Sequence, residues 1–173
     1  WHTVDDERGV CPEGFHVSTD DEFKELEIYL GMSQEEVEII GFRGLTQGSK
    51  LAGSSNLWNN GSLNENSEFN TSGFEALPGG YLYDVETRFS NMNREAEFWM
   101  STLSDGGGQA GCRVLSYNES GINRGFTSRQ AGYSIRCLSD ELQNTTIFVP
   151  GNFATIQGAI DYSIDGDTIL VSA

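Results

Sequence analysis

The side chains of this sequence that could act as nucleophile, base or metal ligand are few, and their spacing works against them. His16, in GFHVST, is one of two histidines, and Cys11 is one of three cysteines. Drawn as base and nucleophile, the two lie five residues apart on an extended segment, which sends them to opposite faces. No Cys–His couple is expected, and His16 reads as a structural imidazole hydrogen bonded to backbone or to an acid. No Ser, His and Asp set suited to acyl transfer is recognisable. The glycines at 106 to 108 lack the Lys and the following helix that a phosphate-binding loop requires. With no CxxC pair and only His2 and His16 to join the thiols, a zinc site is not expected.

Charge narrows the partners further. The 173 residues hold 26 acids against 10 bases, a formal charge of -16, and every base lies at or before Arg136. No basic stripe offsets repulsion from phosphates, so nucleic acid and anionic lipid are disfavoured. An acidic surface chiefly confers solubility. Such a surface can also attract calcium; no other cofactor is expected. The length allows one sizeable core plus a smaller piece. No apolar stretch approaches the ~20 residues of a membrane span, so membrane insertion is not expected.

Local signals place the elements. Thr19 and Glu22 form a capping box ahead of Phe23, Leu26 and Leu30 at helical spacing, and Gly31 closes that helix. Ser33 and Glu36 repeat the pattern for a short helix with Val37 and Ile40 facing inward, ended by Gly41. Residues 42 to 72 are rich in Gly, Ser and Asn and predict a long ordered loop anchored by Trp58, Leu63 and Phe69. From residue 73 onward, ALPGGYLY, FWMST, RVLSYN, INRGFTS and GYSIRCL predict short strands between turns. Together these give an α+β domain with a small, irregular antiparallel sheet and helices at one side.

A different text follows Asp140. SDELQNT reads as a polar connector, and TIFVPGNFATIQGAIDYSIDGDTILVSA as strand, turn, helix, turn, strand. Ile156, Ala159, Ile160 and Ile164 make one helix face, and Asp165, Gly166 and Asp167 turn the chain into the last strand.

Taken in order, WHTVDDERG, CPEGFHV, TDDEFKELEIYLGMS, GFRGLTQGSKLAG, SGFEALPGGY, FWMST and SIRCL resemble the Fibrobacter succinogenes major paralogous domain, a bacterial surface and secreted module. The resemblance covers residues 1–139. It implies a fold related to C-type lectins and to formylglycine-generating enzymes, and a secreted or cell-surface location. It also implies that the chain opens inside a strand, its true N-terminus cut away. The reactive cysteine pair of formylglycine-generating enzymes has no counterpart beyond Cys112 and Cys137, whose surroundings differ, so the first domain is not expected to be an enzyme. The family writes cysteines at 11 and 137, and a bridge there would tie the two ends of the fold together, leaving Cys112 as a buried free thiol. Pairing of Cys112 with Cys137, the lectin spacing, stays open.

Residues 140–145 then serve as linker. Residues 146–173 are similar to the opening of right-handed parallel β-helix proteins of the pectin-lyase type, with a cap helix before the first coil. One strand and a cap cannot finish such a domain, so the second module is expected to be incomplete. If the first domain is lectin-like, Trp58, Asn59, Asn60, Tyr83, Asp84 and Asp105 gather at loop ends, where aromatic faces, amides and carboxylates suit sugars with or without calcium. The competing reading leaves Trp58 as the loop's anchor and the asparagines as turn residues. The expected function is non-catalytic binding of a glycan or surface partner. The alternatives are an accessory domain of a polysaccharide-acting β-helix enzyme and a structural spacer.

Overall fold

In the computed structural model, residues 1–83, 89–140, 146–149, 151, 154–163 and 168–171 are described. The chain divides into two compact units, Trp1–Leu138 and Ser139–Ala173. The first is mixed α and β. Strand β1 (Phe15–Val17) leads into helix α1 (Asp20–Tyr29), a 3-10 turn (Glu36–Glu38) and β2 (Gly41–Arg43). Two short helices follow, α2 (Gln47–Leu51) and α3 (Ser62–Glu65), with a 3-10 turn (Ser55–Leu57) between them. The remainder is β3 (Tyr81–Leu82), β4 (Phe89–Ser90), β5 (Glu95–Leu103), β6 (Gln109–Ser116), β7 (Ile122–Ser128) and β8 (Cys137–Ser139).

The centre is a four-stranded antiparallel sheet in the order β2-β7-β6-β5. Alternation along β5 sends Ala96, Phe98 and Met100 to one face and Glu97 and Trp99 to the other, and all five are buried. Both faces are therefore covered. Phe98 and Met100 pack with Phe23, Leu30, Val37, Leu51, Leu63, Leu115 and Ile122 in the larger cluster. Trp99 packs with Trp1, Ala110, Cys112 and Ala131 in the smaller.

The capping box of α1 forms as its sequence dictates. Thr19 Oγ1 accepts from Glu22 N at 3.2 Å, and Thr19 N donates to Glu22 Oε2 at 2.8 Å. Gly31 then leaves the helix with φ of 100°. The second start yields a single 3-10 turn, with Ser33 Oγ accepting from Glu36 N at 3.2 Å. Val37 is buried, but Ile40, expected inside, is 57% exposed. The turn ends before a full helical repeat can carry Ile40 back to Val37's side, and Gly41, with φ of 100°, redirects the chain into β2. The stretch 42 to 72 is not plain loop either: it holds α2, α3 and a 3-10 turn, although Trp58, Leu63 and Phe69 pack inward as anchors.

Three arginines are buried in the sheet's larger core. Arg113 Nε donates to Glu27 Oε1 at 2.9 Å and Nη1 to Asp20 Oδ1 at 2.7 Å. Arg43 Nη2 meets Glu27 Oε2 at 2.6 Å, and Arg124 Nη2 meets Asp20 Oδ2 at 2.6 Å. This network fastens α1 to β2, β6 and β7.

The expected strand GYSIRCL is mostly not a ladder strand. It runs along the open edge of β5 through single bridges, with Trp99 N donating to Ser134 O at 3.0 Å and Ser134 N to Glu97 O at 2.9 Å. Only β8 at its end pairs regularly, with β1. Cys11 is joined there to Cys137, Cα atoms 5.8 Å apart, and Cys112 is a buried free thiol.

The second unit is strand, helix, strand: β9 (Thr146–Val149), α4 (Ile156–Tyr162) and β10 (Thr168–Val171). β9 and β10 are parallel, with Thr146 opposite Thr168 and Val149 opposite Val171. Thr155 Oγ1 caps α4 by accepting from Gly158 N at 3.1 Å. Its small core is Ile147, Val149 and Ala159 with Ile169 beside them. Of the expected helix face, Ala159 is buried, Ile156 and Ile160 stay half exposed, and Ile164 lies outside the described residues. A seven-residue helix over two strands covers only the residue pointing at their midline. Of the expected linker, residues 141–145 also lie outside the described residues.

Candidate binding surface

At the start of β5 three segments are knotted together by backbone bonds. Gly80 N donates to Glu95 O at 2.9 Å, Asn93 N to Pro78 O at 3.0 Å, and Asn59 N to Asn93 O at 2.7 Å. Gly80 has φ of 64°, and a Cβ there would collide with Ser90 O, so the turn ahead of β3 requires glycine. Asn91 and Asn93 occupy the left-handed region with φ of 55° and 65°, which asparagine accepts better than most residues. Their amides hold the knot closed: Asn93 Nδ2 donates to Leu57 O at 2.7 Å and Asn91 Nδ2 to Glu95 Oε2 at 2.6 Å.

Exposed apolar groups lie on the segments flanking this knot. Tyr83 is 52% exposed, Phe89 63% and Met92 61%. Tyr83 leans edge-on against Tyr81, ring centroids 6.1 Å apart, and Tyr81 rests likewise on Tyr133 at 6.1 Å. Asn59, bonded into the knot through its N–H, and Asn60 are also exposed. Exposed aromatic faces can stack on the C–H side of a sugar ring, and exposed amides can bond its hydroxyls.

The sequence profile of the Fibrobacter succinogenes major domain matches residues 1–139. The chain belongs to this family. No curated protein and no solved structure matches the chain.

Within this Fibrobacter succinogenes major domain, the residues expected to form a site are only partly brought together. Asn59 is tied by its N–H to Asn93 O just ahead of β5, Asn60 is exposed next to it in sequence, and Tyr83 follows β3, three residues after Gly80. Trp58 is 4% exposed, its indole N–H donating to Gly53 O at 3.0 Å, so it anchors the loop beneath Asn59 and presents no face. Asp105 is exposed in the β5–β6 turn, at the far end of a nine-residue strand, ~30 Å away at the usual strand rise. Asp84 lies outside the described residues. Phe89, Met92 and the Asn91 and Asn93 turn were missed. The run NMNR, two asparagines around an exposed methionine, was the available signal.

The reactive groups of the Fibrobacter succinogenes major domain have structural occupations. His16 Nε2 lies 2.8 Å from Glu22 Oε1, so its imidazole faces the capping acid of α1. Burial pushes the Cys112 thiol up to about 12, which removes the thiolate a nucleophile needs. Glu97, on the same sheet face, is pushed by burial up to about 8. Asp20 is held well below the ordinary aspartate range: burial alone would raise it, but the hydrogen bond from Arg124 and the charge of Arg113 prevail. Among the described residues no three His, Cys, Asp or Glu side chains cluster as a metal site, and no helix is long and apolar enough to cross a membrane.

Proposed function

We propose that residues 1–139 form a non-catalytic binding module of a secreted or cell-surface protein, and that the surface at the start of β5 holds glycan. The observation that carries this reading is the set of exposed Tyr83, Phe89 and Met92 on the segments flanking a backbone knot fixed by Gly80, Asn91 and Asn93, with exposed Asn59 bonded into the same knot through its N–H. A rigid aromatic and amide surface loses little entropy when a sugar settles on it. We read the fold as lectin-like in this sense, with loops at one sheet end presenting the ligand. The Cys11–Cys137 bridge supports an oxidising, extracellular setting. The protonated Cys112 and the engaged His16 support the absence of catalysis in this domain.

A glycan array probed with the 173-residue chain is the test. Weak binding, in the millimolar to micromolar range of a shallow polar site, is expected. Tyr83→Ala and Phe89→Ala should each abolish it, and chelator should leave it unchanged, since Asp105 lies far from the surface. Absence of binding to every glycan, or binding indifferent to both substitutions, overturns the reading.

The parallel β9–α4–β10 unit favours a second reading, in which it is the cap and first strand of a β-helix and the binding module serves a polysaccharide-acting enzyme. Release of oligosaccharides by the polypeptide as encoded in its gene would support that; its absence would leave binding and display.

A further inference from the structure

A second cleft lies elsewhere on the first unit, beside the disulfide. It encloses about 320 Å³ and is floored by Phe23, Leu26 and Phe74, with Ser18, Glu22, Arg136, Cys137 and Leu138 completing its walls. The aromatic floor is rigid: Phe74 meets Phe23 edge-on at 6.1 Å and Phe98 at 5.7 Å. The Cys11–Cys137 bridge pins the wall that carries Arg136 and Leu138.

Arg136 is exposed, and its guanidinium stands 4.4 Å over the Phe74 ring. In a chain of charge -16, seven of the nine described Lys and Arg meet a carboxylate; among the described residues Arg94, over Tyr117, and Arg136 meet none. The acceptors nearby are already engaged. Glu22 Oε2 accepts from Thr19 N at 2.8 Å and from Thr19 Oγ1 at 2.9 Å, its other oxygen faces His16 at 2.8 Å, and Ser18 O accepts from Ser101 N at 3.0 Å. What the cleft offers is therefore a planar cation with donors to spare beside an apolar floor.

We infer that this cleft binds a small carboxylic acid with a flat apolar body, the carboxylate taken by the Arg136 fork and the body lying against Phe23, Leu26 and Phe74. Guanidinium suits carboxylate because two parallel N–H donors match its two oxygens. Stacking on Phe74 orients the fork beforehand and strips water from one of its faces. The volume is at the small end of ligand pockets, roughly 300–1,000 Å³, so a free small acid fits and a polymer segment does not. This site is separate from the aromatic surface at the start of β5 and does not depend on it.

The test is an amide chemical-shift titration of the full 173-residue chain with 4-phenylbutyrate, and with 4-phenylbutylamine as the charge-reversed control. Saturable binding of the acid in the millimolar to sub-millimolar range is expected, with the amine at least about tenfold weaker. Arg136→Gln should weaken the acid to the level of the amine. Arg94→Gln, at an arginine that instead stacks on Tyr117, should change nothing. Leu138→Glu, which sets a carboxylate at the cleft beside Arg136, should abolish acid binding without touching the floor and decides the matter should Arg136→Gln fail to fold. Tyr83→Ala should leave acid binding intact, which keeps this result independent of the glycan test. Equal binding of acid and amine, unchanged acid binding in both Arg136→Gln and Leu138→Glu, or no saturation at any soluble concentration would overturn the inference.

Discussion

Glu27 and Arg113, 86 residues apart in sequence, meet at 2.9 Å with both side chains wholly buried. Helix α1 is thereby fixed to the middle of the sheet through a charge pair that solvent cannot screen. Arg43 takes the other oxygen of Glu27, so the carboxylate is shared between two guanidinium groups. Removing it strands both. Glu27→Ala is expected to lower stability by about 3–5 kcal/mol, the usual cost of an uncompensated buried charge. Equilibrium urea unfolding would measure it, and a loss below about 1 kcal/mol, as for surface pairs, would show that the arginines find other partners.

Asp20 extends the same network and supplies its acid sensitivity. Its folded value lies below the ordinary 3.8, so the stability it contributes is present above that value and is lost as pH falls through the depressed folded one. Asp20→Asn should therefore lower the thermal midpoint at neutral pH and have progressively less effect as the solution is made strongly acidic. A substitution effect that stays constant with pH would mean that the charge of Asp20 is not what matters.

The Cys11–Cys137 bridge closes 126 residues of separation and joins the segment ahead of β1 to β8. In the chain-entropy picture a loop of this size contributes about 4–5 kcal/mol. Reductant should lower the melting midpoint markedly, whereas iodoacetamide should leave the native protein unlabelled at Cys112, because its thiol is buried and pushed up to about 12. Labelling of Cys112 faster than global unfolding would place it in a locally opening segment.

On the opposite sheet face Glu97 makes the reverse case from Asp20. Among the described residues its Oε2 has no hydrogen-bond partner, and burial pushes the carboxyl from 4.5 up to about 8. The folded chain thus holds a proton that the unfolded chain releases, and the resulting stability is full below pH 4.5, declines as pH rises from there to about 8, and is flat beyond. Glu97→Gln, neutral at every pH, should gain on the parent across that window by on the order of a few kcal/mol. Melting curves at several pH values would show the gap widening and then levelling; a gap independent of pH would mean that Glu97 ionises freely.

What could be read in advance and what could not divides along the range of the interaction. Thr19 and Glu22 announce α1 because a capping box is complete within four residues. The Cys11–Cys137 bridge followed from the family resemblance, not from the residues between. Arg43, Arg113 and Arg124 gave no sign of burial, because an arginine in a strand reads as the solvent face, and only the arrival of Asp20 and Glu27 from α1 makes their inward turn tolerable. The same holds for the candidate surface at the start of β5. Tyr83 and Asn59 were picked for their chemistry, but Asn93, which holds the two loops together, acts through backbone contacts 34 and 15 residues away along the chain. Asp105 was grouped with them because a turn looks alike at either end of a hairpin.

Trp58 and Tyr83 separate anchoring from binding, and substitutions at the two should part company. Trp58 fills the larger core and bonds Gly53 O, so Trp58→Phe keeps most of the ring's burial and loses one buried hydrogen bond. A cost of about 1–3 kcal/mol is expected in urea unfolding, with glycan binding retained wherever the protein remains folded. Tyr83 stands half out of the surface and among the described residues meets Tyr81 ring edge to ring, so Tyr83→Ala should change stability by less than about 1 kcal/mol while removing one of the two stacking faces. Measured side by side, the first variant should be destabilised and binding-competent, the second stable and binding-deficient. Were Trp58→Phe to bind as poorly as Tyr83→Ala at a temperature where both are folded, the loop carrying Asn59 and Asn60 would have moved with its anchor, and the surface would depend on Trp58 for its shape as well as its stability.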